Sequence, residues 1–239
     1  MEWTGHGLII GVRRHGESSV IVEAMVARRG RYMGLVRGGR STRHAATLQP
    51  GNDVQLTWRA RLENHLGNFS VELVHPRAAE LIADQIRLYA CQLLCDHLRL
   101  LPERDPHDRL MGAAIDILDG EGDSLVLGAA LARFEFFLLD ELGFGLDIFS
   151  CALTGETTNL THVSPKTGRA VTRTAAEPYI EKLLPLPTFL QGDVTPGLGD
   201  ISNAFRLTGH FLAMHVWTAR QIAPPTTRDR LIGMLTKPL

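Results

Sequence analysis

The chain has 239 residues, enough for one large or two small domains that each bury a core, and its 44% hydrophobic and 21% charged residues are ordinary for a globular protein. No stretch nears the roughly 18 apolar residues of a membrane span, the first residues lack the basic and apolar regions of a signal peptide, and three cysteines give no disulfide framework; we expect a cytoplasmic protein with no membrane partner. The formal charge of −1 hides an asymmetry, because residues 1–76 hold ten arginines, no lysine and six acids, a net +4, while the remainder holds 15 basic and 20 acidic residues, a net −5; a basic unit of this kind points to nucleic acid.

Strands are expected at 8–12, 19–26 and 32–36, which are apolar and rich in β-branched residues and are separated by Arg-His-Gly-Glu and Arg-Arg-Gly-Arg turns. The stretch 37–52 carries Gly38-Gly39 and Pro50-Gly51, with room for one short helix at 44–48. Two further strands follow, since Val54, Leu56 and Trp58 alternate with polar neighbours and so do Phe69, Val71 and Leu73. Five short strands with a helix after the third is the order of an OB-fold barrel. In that barrel nucleic acid lies across strands two and three, flanked by the loops joining strands one to two and four to five.

The arginines can be placed on this map. Arg13 and Arg14, with His15, fall in the first of those loops, and Arg59 and Arg61, with His65, in the second. Arg28, Arg29 and Arg31 cap the hairpin between strands two and three, and Arg37, Arg40 and Arg43 follow strand three, where Gly38 and Gly39 let backbone N–H groups approach a phosphate. Of these, Arg13, Arg14, Arg28, Arg29, Arg31, Arg59 and Arg61 are expected on one rim. Arginine suits that task because its planar fork donates bidentately to phosphate. Trp58 and Phe69 alternate with the apolar set and read as core, while Tyr32 is open to either role, core or base-stacking face. The ten arginines and Tyr32 form the expected DNA-binding set.

The succession Gly7-Leu8-Ile9-Ile10, His15-Gly16-Glu17-Ser18, Gly30-Arg31-Tyr32 and Arg37-Gly38-Gly39-Arg40 resembles the amino-terminal OB domain of the RecO family of bacterial DNA repair and recombination mediators. His15 stands where the family's turn has an aromatic residue, and Arg37 where it has lysine.

Beyond Pro76 the period changes to that of helices, expected at 77–101, 107–119 and 125–142, the last opened by Ser124. Cys91 and Cys95, one turn apart in the first, read as small core residues. An irregular module occupies about 143–177. The RecO family holds zinc there with cysteine pairs, but here Thr154 stands where C-x-x-C needs its second thiolate and no cysteine follows Cys151. Only Cys151 remains of that ligand set. No cofactor is expected, and the knuckle is expected to persist by hydrogen bonding and packing, with a hairpin over 159–169. A short helix at 177–184, a long one at 201–219 and a last at 226–235 complete a helical bundle. The fold class is α+β in two domains: an OB barrel over 1–76 and a helical domain over 77–239 with the knuckle inserted.

No triphosphate loop, metalloprotease motif or other catalytic constellation is present, so an enzyme is not expected. The resemblance spans the chain, including the RLTGHFL stretch at 206–212. It implies a RecFOR-type mediator that answers DNA damage by binding ssDNA and dsDNA and annealing complementary strands. With RecR, such a protein helps load RecA onto DNA coated by single-stranded-DNA-binding protein, whose C-terminal tail docks on the helical domain. A nucleoid-associated cytoplasmic location is also implied. From the residues alone, the alternative is an OB-fold RNA-binding or protein-interaction scaffold.

Overall fold

Five strands close into a barrel of order β1–β2–β3–β5–β4, the OB topology. They are β1 (Glu2–His15), β2 (Ser19–Val26), β3 (Gly30–Val36), β4 (Asp53–Arg59) and β5 (Asn68–His75), with the four-residue helix α1 (Thr42–Ala45) after β3. This computed structural model describes residues 1–62 and 64–237, and for Arg43 the backbone alone. The chain is α+β and divides into two compact units, 1–119 and 120–239.

β1 is far longer than its expected five residues. Its first half pairs with β4, from Glu2 against Arg59 to Leu8 against Asp53, and its second half pairs with β2, from Gly7 against Val26 to His15 against Ser19. A register shift between Ile9 and Gly11 lets one strand serve two neighbours, as a bulge does where a barrel turns a corner. Residues 7–11 are all buried as a result, so the alternation that would reveal the strand is lost. The single pair Leu35–Asn68 joins β3 to β5 and closes the barrel around a core that includes Ile9, Val22, Tyr32, Leu56, Trp58 and Phe69.

The helix expected over 77–101 is two helices, α2 (Arg77–Leu81) and α3 (Gln85–Leu98). Asp84 causes the break: its Oδ1 accepts from the N–H of Ile86 and Arg87 at 2.9 and 3.2 Å, the hydrogen bonding of an N-cap. With α4 (Asp108–Asp119) these helices belong to the barrel's unit, although the strands end at His75. Buried Arg77 ties them to it, pairing with Asp53 at the start of β4 (2.7 Å) and with Asp119 at the end of α4 (2.6 Å). Asn52 adds a second tie, accepting from the Ala78 N–H at 2.9 Å and donating to the Ala46 carbonyl at 2.8 Å.

In the second unit, Asp123 caps α5 (Ser124–Glu141). The three-stranded sheet β7–β6–β8 follows, made of β6 (Leu160–Val163), β7 (Ala170–Thr172) and β8 (Leu184–Pro185). α6 (Arg173–Ala176) leads into a 3₁₀ helix, Glu177–Lys182, within the stretch 177–184 where a short helix is expected. α7 (Leu198–Leu212) passes into a π turn, Ala213–Trp217, and α8 (Thr226–Leu235) ends the unit. A buried ion pair pins α8 to α5: Arg228 donates to both Glu135 oxygens at 2.7 and 2.8 Å, and Thr208 of α7 donates to the same carboxylate.

Candidate nucleic-acid interface

The basic residues of the barrel fall into two groups, not on one rim. Successive turns of an antiparallel meander lie at opposite ends of the strands, so the β1–β2 and β2–β3 turns cannot share an end. At the end of β1 lie Arg13 and Arg14. The post-β3 segment bearing Arg37 and Arg40 folds against the same turn, with Arg40 N–H donating to the Ser18 carbonyl at 3.1 Å. The Arg40 guanidinium also donates to the Glu17 carbonyl. The other group gathers around the start of β1, where the Ala27 N–H reaches the His6 carbonyl and Ala60 N–H reaches that of Met1. Arg28, Arg29, Arg59 and Arg61 belong here. Roughly 30 Å of strand, at about 3.3 Å per residue, separates Trp3 from Arg13.

The two groups differ electrostatically. Arg59 is paired with Glu2 at 2.8 Å, Arg29 lies 4.7 Å over the Trp3 ring, and the Arg28 N–H is taken by Asp108 at 2.7 Å. Arg28 and Arg61 keep exposed side chains on that end. Arg13, Arg14, Arg37 and Arg40 are all exposed, and none forms an ion pair among the described residues. Arg43 follows them in sequence, but its side chain lies outside the described residues. The end of β1 is therefore where a phosphate backbone meets the least competition.

The face of β2 and β3, where an OB barrel is expected to take its ligand, is partly covered by the chain itself. The segment 99–108, between α3 and α4, runs along β3: Glu103 forms a parallel bridge with Arg31, and Arg104 N–H donates to the Arg31 carbonyl at 2.9 Å. Gly30, with φ at +76°, admits this segment so closely that a Cβ there would fall on the Asp105 backbone. Glu23 fastens it from β2, holding Arg31 at 2.5 Å and Arg99, just past the end of α3, at 3.0 Å. Arg31 thus spends its guanidinium inside this cluster, donating also to the Leu101 carbonyl, and is a structural residue where a DNA contact was expected. Sequence reading missed Arg99 and Arg104, because nothing in a proline-broken loop signals which face it will cross.

Tyr32 is likewise core. On β3, Tyr32, Gly34 and Val36 face inward, and the Tyr32 ring, 6% exposed, packs edge-on against Trp3 and Trp58 at 4.9 and 5.7 Å. Trp58 and Phe69 are buried beside it, so these rings are spent on the interior. What remains beside the arginines at the end of β1 is a groove of about 460 Å³ lined by Val12, Val20 and Leu48 together with Arg14 and Arg40.

The knuckle is built around Cys151, whose Sγ accepts from the Thr172 N–H at 3.4 Å. Burial alone would push this thiol up, but hydrogen bonds from the Thr154 hydroxyl and the N–H groups of Leu153, Thr154 and Thr172 outweigh it and hold the thiol at about 6. The family's zinc does not fit these residues. One thiolate faces the Thr154 and Thr172 hydroxyls, and among the described residues no three His, Cys, Asp or Glu side chains converge as a metal site. The expected hairpin is present as β6 and β7, joined by a turn through Lys166 and Gly168. Cys91 and Cys95 are buried in α3.

Comparison with known proteins gives matches along nearly the whole chain. The profile described as "Recombination protein O N terminal" matches residues 1–77, and "Recombination protein O C terminal" matches 82–219. The chain is 51% identical over 242 residues to the DNA repair protein RecO of Chelativorans sp. (strain BNC1), covering 100% of this chain and 97% of the relative. It is 48% identical over 235 residues to the protein of the same name in Brucella abortus (strain 2308), covering 98% and 95%. The Mesorhizobium japonicum relative, also named DNA repair protein RecO, is 46% identical over 239 residues, covering 99% and 94%.

Proposed function

The chain belongs to the recombination protein O family, and from that premise we propose that it is a DNA repair and recombination mediator of the RecFOR type, which binds ssDNA and dsDNA and anneals complementary strands. It is a mediator rather than an enzyme. The observation that carries the DNA-binding part is the run of exposed arginines Arg13, Arg14, Arg37 and Arg40 at the end of β1, free of ion pairs among the described residues. Such a surface draws on the sequence-independent affinity of phosphate, in which counterions are released as cations take their place.

In this reading the protein displaces by competition. The cationic end of the barrel holds a strand weakly while the helical unit engages the acidic C-terminal tail of single-stranded-DNA-binding protein. RecR then joins, and RecA is loaded on the strand so freed. No nucleotide hydrolysis by this chain is needed. The knuckle works without zinc, held by Cys151 and its hydrogen bonds, and metal analysis of the purified protein is expected to find substoichiometric zinc. Among the described residues no helix is long and apolar enough to cross a membrane, and a cytoplasmic, nucleoid-associated location completes the proposal.

The test is fluorescence anisotropy of a labelled oligo-dT strand and an equal-length duplex, followed by an annealing assay with complementary strands with and without RecR. Binding that weakens log-linearly with salt, and annealing faster than the uncatalysed rate, is the expected result. Absence of DNA binding at low salt, with RNA or protein binding in its place, would overturn it in favour of a scaffold.

A further inference from the structure

The groove at the end of β1 has a character the arginines alone do not explain. Three apolar residues contribute to its lining: Val20 and Leu48, each 5% exposed, and Val12, which pairs with Val22 and packs against the barrel core. Gly39 gives it depth. A Cβ there would lie 2.5 Å from Val20 Cγ2 and 3.3 Å from Leu48 Cδ1, so only glycine lets the 37–41 turn close down against β2 and α1 without filling the space. Arg14 and Arg40 also line it, and the tether from Arg40 to the Glu17 carbonyl fixes one of them beside the opening. Ala45, small and exposed, forms part of the outer wall.

A hollow lined by apolar and polar groups alike, with Arg14 and Arg40 among its lining residues and a volume of about 460 Å³ within the range of small-ligand sites, matches one part of a nucleic acid chain: a base removed from its stack, with its flanking phosphates. A duplex offers phosphates but keeps its bases paired, so it can use the arginines and not the apolar lining. Tyr32, Trp58 and Phe69 face the interior and pack against Trp3, toward the other end of the barrel, so they supply no stacking platform that would serve instead. We propose that this groove seats one unstacked base of a single DNA strand, with the adjoining phosphates on Arg14 and Arg40, and so adds to the electrostatic surface a preference for single strands. This rests on the DNA-binding reading above and assigns the subsite that tells single strands from duplex. The Glu17 carboxylate is the acidic group on the neighbouring turn, and it lies exposed at the tip, outside the groove lining.

The experiment uses the full chain and an adenine-flanked oligonucleotide bearing one 2-aminopurine, whose emission is quenched when stacked. Binding to wild type is expected to raise that emission, as the base leaves its stack. Ala45→Leu narrows the groove without changing charge, at an exposed site, and circular dichroism checks that the variant is folded. It is expected to abolish the emission rise and to weaken single-strand binding roughly threefold to tenfold, a fraction of the value of one base seated on a protein surface, while duplex affinity stays within twofold. Equal losses for both DNA forms, or an unchanged single-strand affinity and emission rise, overturn the groove assignment and leave the mediator reading standing. Failure of wild type to bind either form overturns both.

Discussion

Replacing Arg13, Arg14, Arg37 and Arg40 together with Gln is the sharpest test of where DNA binds. The four side chains are exposed and form no ion pair among the described residues, so removing their charge costs the fold little and removes up to four phosphate contacts. Each neutralised phosphate of a single strand contributes about −0.7 to the slope of log K against log salt, so the four account for a slope of roughly −2.8. Between about 50 and 200 mM salt that term changes affinity about 50-fold, and the variant should lose this steepness. Anisotropy titrations at five or more salt concentrations measure it, with circular dichroism to confirm the fold. A matched control, Arg28→Gln with Arg59→Gln, removes two charges from the opposite end and should shift the slope by less than about 0.7. If the control flattens the slope as much as the quadruple variant does, the two-ended reading of the barrel is wrong.

Other outcomes follow from the interior. Tyr32→Phe should leave DNA affinity within about twofold, while Tyr32→Ala should cost about 3–5 kcal/mol of stability in denaturant titration, as loss of a buried ring does; impaired binding by the Phe variant would restore Tyr32 as a contact. Arg228→Met removes two donors from the Glu135 carboxylate, 1% exposed, to which Thr208 also donates, and should destabilise the second unit by about 3–5 kcal/mol, most of it recovered by adding Glu135→Leu. Cys151 makes stability depend on pH. Its folded value of about 6 lies below the ordinary 9.0, so the thiolate's contribution is fully present above pH 9 and is lost as pH falls through 6. Wild type should therefore gain stability over Cys151→Ala as pH rises from 6 to 9, and parallel curves for the two proteins would refute the hydrogen-bonded thiolate.

How much of this could be read in the sequence depended on whether one phase of the pattern was unambiguous. β4 and β5 alternate apolar with polar residues, and both were placed correctly. β3 reads Gly-Arg-Tyr-Met-Gly-Leu-Val, apolar in both phases, so its pattern alone does not fix the side of the sheet that Tyr32 faces; its packing against Trp3 and Trp58 does. β1 was cut short because its bulge puts five consecutive residues inside. Asp84 was a legible cap that the continuous apolar face of 77–101 masked. The split of the arginines into two groups was available from the alternation of turns in a meander, without any coordinates. The covering of β2 and β3 by 99–108 was not, because it depends on a parallel bridge between residues 72 positions apart, Arg31 and Glu103.

That bridge also bears on where this protein can be cut. The amino-terminal profile ends at residue 77, and an OB barrel is commonly regarded as a module that can be cloned alone. Here Met25, 1% exposed, lies on the outward side of β2, and Gly30 receives a backbone that a fragment ending at 77 would lack. Arg77 would lose Asp119, and Glu23 would lose Arg99. Such a fragment would present bare apolar surface and two interrupted charge networks, and should aggregate or bind without selectivity. A piece extended to residue 119 carries its own cover, and is the smallest unit of this chain in which the properties of the barrel can be measured as its own.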